Sequence, residues 1–250
     1  MATSAEAVPR NAPLAAPHNS AKRKERLFFT GMSVALLVVV LVGFAPTYYL
    51  RGTFGSPDLT PSLLVHGFAF SAWMLLLIVQ TSLIAANKVA LHRQLGVAGG
   101  ALGVLMMVLG GYVAITRFSA GLTQTVPGVP AGVFLAIPLA TLVVFPTLFG
   151  SALWFRRRTD IHKRLVLIAT LELITAGFGR WPGVAPLGPV AFFTLTDLFL
   201  VALAIYDWRT LGRIHKATLW GGAFLIVWQP LRLAIGFTPA WTSFTDWLTS

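Results

Sequence analysis

The chain has no cysteine and little charge: only 11% of its 250 residues are Asp, Glu, Lys or Arg, where a soluble domain carries about a quarter. The missing cysteine excludes disulfides, thiolate metal sites, iron–sulfur clusters and haem attached through CxxCH. The scarcity of charge leaves no room for a soluble catalytic domain. Residues are 56% hydrophobic, and the few charges are clumped between apolar runs near 20 residues long, the length that crosses a bilayer core at ~1.5 Å rise per residue. Acids are scarcest, eight against nineteen Lys and Arg, for a net charge of +11. The bases flank the apolar runs, which makes anionic membrane lipids the expected partner and not nucleic acid. HExxH, HxxxH, GxSxG, P-loop and dinucleotide fingerprints are all absent. No apolar run has a lysine in its interior, Lys163 standing at the edge of one, which argues against a buried retinal Schiff base.

What is present predicts an all-α polytopic helix bundle of seven transmembrane spans, at 27–50, 61–86, 95–116, 130–155, 163–180, 189–207 and 217–236. Residues 1–26, rich in Ala and Pro and then basic ("AKRKER"), read as a disordered tail, 27–236 as the bundle, and 237–250 as a short outer tail. Trp241 and Trp247 in that outer tail suit an interface. The first run is too long for the core of a signal peptide, and Pro46 follows its one cleavable-looking site, so it is expected to remain as a span. The fifth is the weakest: 15 residues separate Arg164 from Arg180, with Glu172 among them. Snorkelling arginines can lengthen such a span.

Orientation follows from the asymmetry of the bases. With the N-terminus inside, the inner segments hold fourteen Lys and Arg. The outer loops hold three, Arg51, Arg117 and Arg180. Removing the fifth span would place Arg209, Arg213 and Lys216 outside, so seven is favoured over six. The C-terminus is then outside, and the expected location is the bacterial inner membrane.

This orientation puts "LHRQLG", "IHKR" and "IHKA" at the inner ends of spans three, five and seven, so His92, His162 and His215 share one depth. Neutral imidazoles on different helices at one depth meet the first condition for holding haem iron or a transition metal. They could equally be polar anchors in basic loops. His66 lies near the outer end of span two, on a stripe with Trp73 and Gln80 at seven-residue spacing. Such a stripe faces protein, as an interhelical hydrogen bond, a haem ligand, or a proton or quinone contact. Three formal charges fall inside spans: Glu172, Asp197 and Arg232. Intramembrane ionisable groups are functional candidates by default. Depth matching predicts an Asp197–Arg232 pair, with Glu172 protonated or serving as a proton site. Pro230 should loosen span seven, with Gln229 available to a freed carbonyl and Trp228 to the guanidinium face. Gly96/Gly100 and Gly99/Gly103 have GxxxG spacing, which permits close helix packing or entry of a flat macrocycle.

Taken together, "HGFAFSAWMLLLIVQTSLIA", "ALHRQLG" and "DIHKRLVLIATLELITAGFGR" resemble a group of poorly characterised bacterial multi-span membrane proteins with HG…W…Q, HR.LG and HKR phrases, distantly similar to transmembrane b-type cytochromes. The likeness covers about residues 61–180 and implies haem-ligand roles for His66, His92 and His162; no second outer histidine completes a two-haem pattern. The resulting expectation is a quinone-linked redox protein with one haem b between His92 and His162 near the inner face; were it an enzyme, it would be a membrane oxidoreductase. Two readings compete: a structural or assembly subunit, paired with a membrane protein or a second copy, and a proton-coupled small-solute transporter, with Glu172, Asp197 and Arg232 along its path.

Overall fold

The structure is a computed structural model that describes residues 17–123, 126 and 128–250. Among the described residues eight α-helices follow in order: α1 (Pro17–Phe44), α2 (Pro61–Ala85), α3 (Val89–Ser119), α4 (Ala131–Trp154), α5 (Thr159–Phe178), α6 (Pro189–Leu211), α7 (Lys216–Gly236) and α8 (Pro239–Thr249). A π-helical turn, Ala45–Tyr49, extends α1 where Pro46 interrupts its hydrogen bonding. No strand occurs among the described residues beyond an isolated bridge between Val126 and Val129.

Among the described residues six helices are long and apolar enough to cross a membrane: α1 with its π turn, α2, α3, α4, α6 and α7. The chain is thus a multi-pass membrane protein. Helix α5 is not among the six, and its place in the bundle explains why. It packs against α1, α4, α6 and α7 together, and from Arg164 to Thr175 every residue but Val166 is buried. A helix sheathed in protein has no lipid to satisfy, so it can carry the charges that lower its apolarity. Around it α1, α2, α3 and α4 pack in succession, and α7 joins α4 to α6.

Two terminal expectations change. The basic stretch 21–26, read as part of a disordered tail, belongs to α1. Its side chains find partners: Arg26 donates to the Ala85 carbonyl at 2.9 Å and to Asn87 Oδ1 at 2.6 Å, and Glu25 pairs with Lys163 at 2.6 Å. Residues 1–16 of that predicted tail lie outside the described residues. At the other terminus, α8 is a helix capped by the Thr238 hydroxyl. It is anchored by the Trp241 indole, which donates to the Gly132 carbonyl at 2.8 Å.

The central packing depends on glycine where α1 crosses α5. A β-carbon on Gly43 would overlap the Gly177 backbone, and Gly177 itself sits against Val39 and Val40. Backbone cannot yield as a flexible side chain can, so Gly43→Ala is expected to destabilise by about 1–3 kcal/mol. Gly31→Ala is the control, because a β-carbon there meets nothing within 4 Å. Thermal melting in detergent compares the two; equal melting temperatures would remove the crossing from the account.

Candidate functional site

Helix α3 starts after the short turn at Ala86–Lys88, and α5 starts after the turn that follows Trp154. Both turns lie at the basic end of the bundle, and each helix begins within a few residues of its histidine. The structure brings these two side chains together: the His92 and His162 ring centroids are 6.4 Å apart with planes at 84°. His162 Nδ1 lies 2.8 Å from the Ala152 carbonyl. A carbonyl can only accept, so Nδ1 carries the hydrogen and Nε2 keeps its lone pair. His92 Nδ1 is buried and has no partner.

The pair lines a cleft of about 1480 Å³ among α1 to α5. Its walls are largely apolar, with Trp73, Leu76, Leu77, Phe149, Leu153 and Val166, while Arg26, Arg93, Arg156, Arg157 and Lys163 stand along its lining with Glu25 as the acid. The glycines of α3 divide by role. Gly99 and Gly103 sit under Leu76 and Phe149, which an added β-carbon would meet at 3.0 Å, whereas Gly100 lines the cleft with nothing within 4 Å. Packing therefore explains two of the four glycines, and open space another. Trp73 is held by its indole donating to Thr170 Oγ1 at 3.3 Å and by edge contacts with Phe145 and Phe149.

His66 does not join the pair. Fourteen residues of α2 separate it from Gln80, about 21 Å along the axis. It packs on Phe70 with ring centroids 4.4 Å apart and faces α3 at Gly110. Its Nδ1 is likewise buried without a partner. His215 also leaves the trio of inner histidines. It caps α7: Nδ1 accepts from the Ala217 amide at 3.1 Å, and Nε2 lies 3.1 Å from Asp160 Oδ2. All three histidines stand at helix starts, those of α3, α5 and α7, but only two share a cleft.

The intramembrane charges pair differently from expectation. Arg232 meets Glu172, not Asp197: Nη1 donates to Oε1 at 2.8 Å and Nη2 to Oε2 at 2.9 Å. Both residues are buried, 1% and 3% exposed. One guanidinium engages both carboxylate oxygens, so Glu172 is not the unpaired acid that an Asp197–Arg232 pair would leave. Thr141 donates a further bond to Oε1 at 2.7 Å. Asp197 instead accepts from Gln229 Nε2 at 2.8 Å, so Gln229 serves a carboxylate and not a carbonyl freed by Pro230. Trp228 contributes its carbonyl to Arg232 Nε at 2.9 Å. The ring nearest the guanidinium is Phe193, 5.3 Å from its centroid.

A second buried ion pair was missed from the sequence. Asp207, wholly buried, accepts from Arg164 Nε at 2.9 Å, from the Thr218 hydroxyl and from the His215 amide at 3.2 Å. The available signal was a lone acid in the otherwise basic segment "YDWRTLGRIHK"; its partner Arg164 was read only as a boundary of the fifth span.

As a site for a bare metal ion the histidine pair is incomplete, and no group of three or more His, Cys, Asp or Glu occurs among the described residues. A macrocycle that brings its own equatorial nitrogens needs only two axial ligands. No protein-family model matches the chain, and no curated protein or solved structure matches it either.

Proposed function

We propose that the protein is a haem-binding redox protein of the membrane, in which His92 and His162 would hold one b-type haem. The observation that carries this reading is the spacing of the pair. An atom midway between two imidazole nitrogens, about 2 Å from each, leaves the ring centroids roughly 6 Å apart. The measured 6.4 Å agrees. His162 has the tautomer a ligand needs, since metal-bound histidines characteristically give their other N–H to a carbonyl or carboxylate, here that of Ala152. Helix α3 keeps Gly100 clear beside the pair, and the apolar walls suit a flat macrocycle.

The other residues of the cleft have separate tasks in this reading. Arg26, Arg93, Arg156, Arg157 and Lys163 provide cations for the ligand's carboxylates. Trp73 and Phe149 exclude water. A bound haem supplies one-electron chemistry, and the cleft's size, above the ~300–1,000 Å³ of most ligand pockets, supports a membrane quinone as the second reactant. We further propose seven crossings with the basic end inside. The buried course of α5 supports counting it as a span, and the base asymmetry supports the direction. The complete pairing of Glu172 and Arg232 speaks against a proton path through these two residues and so weakens the transport reading.

The test is the visible spectrum of the full chain purified after expression with ample haem. A Soret band that sharpens on reduction is expected in wild type, His66→Ala and His215→Ala. It should be lost in His92→Ala and in His162→Ala at unchanged membrane yield. A colourless wild type, or His92→Ala with full haem content, would end this reading.

A further inference from the structure

We infer that Gln80 is the positioning residue of His92: its side-chain oxygen takes the Nδ1–H of that imidazole and turns Nε2 toward His162. The functional meaning rests on the haem reading, but the hydrogen bond itself does not.

The two histidines of the cleft are unequally supported. His162 has a fixed tautomer through Ala152. His92 Nδ1 is buried with no partner, and so is Gln80 Oε1. A buried polar atom without a partner is costly. Two such atoms lining one cleft, complementary once Nδ1 carries hydrogen, need each other. Both side chains stand over the same turn of α3. The Gln80 amide lies against α3 at Gly96, its Nε2 3.7 Å from where a β-carbon would be, and Gly96 follows His92 by one helical turn on the same face.

The side-chain oxygen of Gln80 can only accept, so the imidazole supplies the hydrogen. A lone pair at Nδ1 would oppose it and leave it unsatisfied. The terminal torsion of a glutamine is broad, and turning it loses no bond at Oε1, which has none. Gly96 leaves the space for that turn. With Nδ1–H held by Gln80, Nε2 keeps its lone pair, as at His162. Both imidazoles then present an acceptor nitrogen to the space between them. The seven-residue stripe on α2 acquires a task at its inner end that is separate from that of His66.

The experiment uses full-length protein labelled with 15N-histidine in zwitterionic lipid vesicles at alkaline pH, with His92→Ala to assign the signal. Solid-state NMR should report an Nδ1–H tautomer for His92 in wild type and in Gln80→Glu. Gln80→Leu should show a tautomer mixture. Haem titration of the same samples should give a 10–100-fold weaker affinity in Gln80→Leu, the usual effect of losing a ligand's outer partner. Gln80→Glu should restore the affinity and lower the midpoint potential, because a carboxylate makes the imidazole more electron-rich. An Nε2–H tautomer in wild type would overturn the assignment. So would Gln80→Leu with both tautomer and affinity unchanged. Wild type that takes up no haem, yet shows the Nδ1–H signal and loses it in Gln80→Leu, sinks the haem reading and leaves the role of Gln80 standing. Haem uptake unaffected by Gln80→Leu, with its tautomer also unaffected, does the reverse.

Discussion

Glu172→Gln and Arg232→Met should each lower the stability of the folded protein by about 3–5 kcal/mol, the range seen when one member of a buried ion pair is removed. Asp197→Asn should change it by less than about 1 kcal/mol. Glu172 and Arg232 are 3% and 1% exposed, so either one alone would be a charge, or half of its hydrogen bonds, stranded far from water. Glutamine can take at most one of the two Arg232 donors on its oxygen, and its amide group opposes the other. Asp197 meets only Gln229, and an asparagine oxygen accepts that bond equally well. The double variant Glu172→Leu/Arg232→Met is the decisive member of the set. It removes both charges and leaves hydrophobic volume, so it should be less damaging than either single change. Thr141 loses its acceptor and can return to the Ile137 carbonyl 3.3 Å away. Thermal melting and folded yield in one detergent rank the four variants. If Asp197→Asn fell beside Glu172→Gln, or the double variant were the worst, the pair would not be the clamp it is taken for here.

This set of variants also marks where sequence reasoning stopped. Where each helix begins was legible, because the apolar runs and the clustered bases mark it. That is why the sequence puts His92 and His162 at one end of the bundle, as the starts of α3 and α5 do. Neighbourhood was not legible. Asp197 matched Arg232 by depth, yet its helix turns it toward Gln229, almost one turn earlier on α7. The acid that meets Arg232 comes from α5, two helices back in the chain, because α5 occupies the middle of the bundle and touches α7 directly. His215 stands at a helix start as the other two histidines do but sits at the N-cap of α7, a local role that outranks any distant partner. The central place of α5 was half visible. Its charges made it the weakest span, and weakness in apolarity was the signature of a helix enclosed by protein. The basic stretch 21–26 looked disordered because its partners, Ala85, Asn87 and Lys163, are remote in sequence.

Asp207→Asn is expected to be nearly as severe as the loss of Glu172, and for a reason that also involves assembly. The Asp207 carboxylate joins three helices: Arg164 from α5, its own α6, and the start of α7 through the Thr218 hydroxyl and the His215 amide. It also sets a negative charge at the N-terminus of α7, where the helix dipole favours one. Helix α7 is the least apolar of the six candidate spans, and α5 falls outside that set altogether. These two gain least from lipid and depend most on polar contacts with each other and with α6. Asparagine would leave Arg164, 3% exposed, as an unneutralised buried cation, a loss of about 3–5 kcal/mol. His215→Ala removes only a cap and a half-exposed contact to Asp160, and about 1 kcal/mol is expected. Protease accessibility of the turn between α6 and α7 provides the readout, together with folded yield. Asp207→Asn should expose that turn and His215→Ala should not. Because His162 lies two residues from Arg164 on α5, the proposed haem site should also be weakened in the fraction of Asp207→Asn that still folds. A fully folded Asp207→Asn with a protected turn would mean that Arg164 finds enough compensation from the Asp160 carbonyl, to which it already donates at 2.8 Å, and that α7 is held by α4 and Glu172 alone.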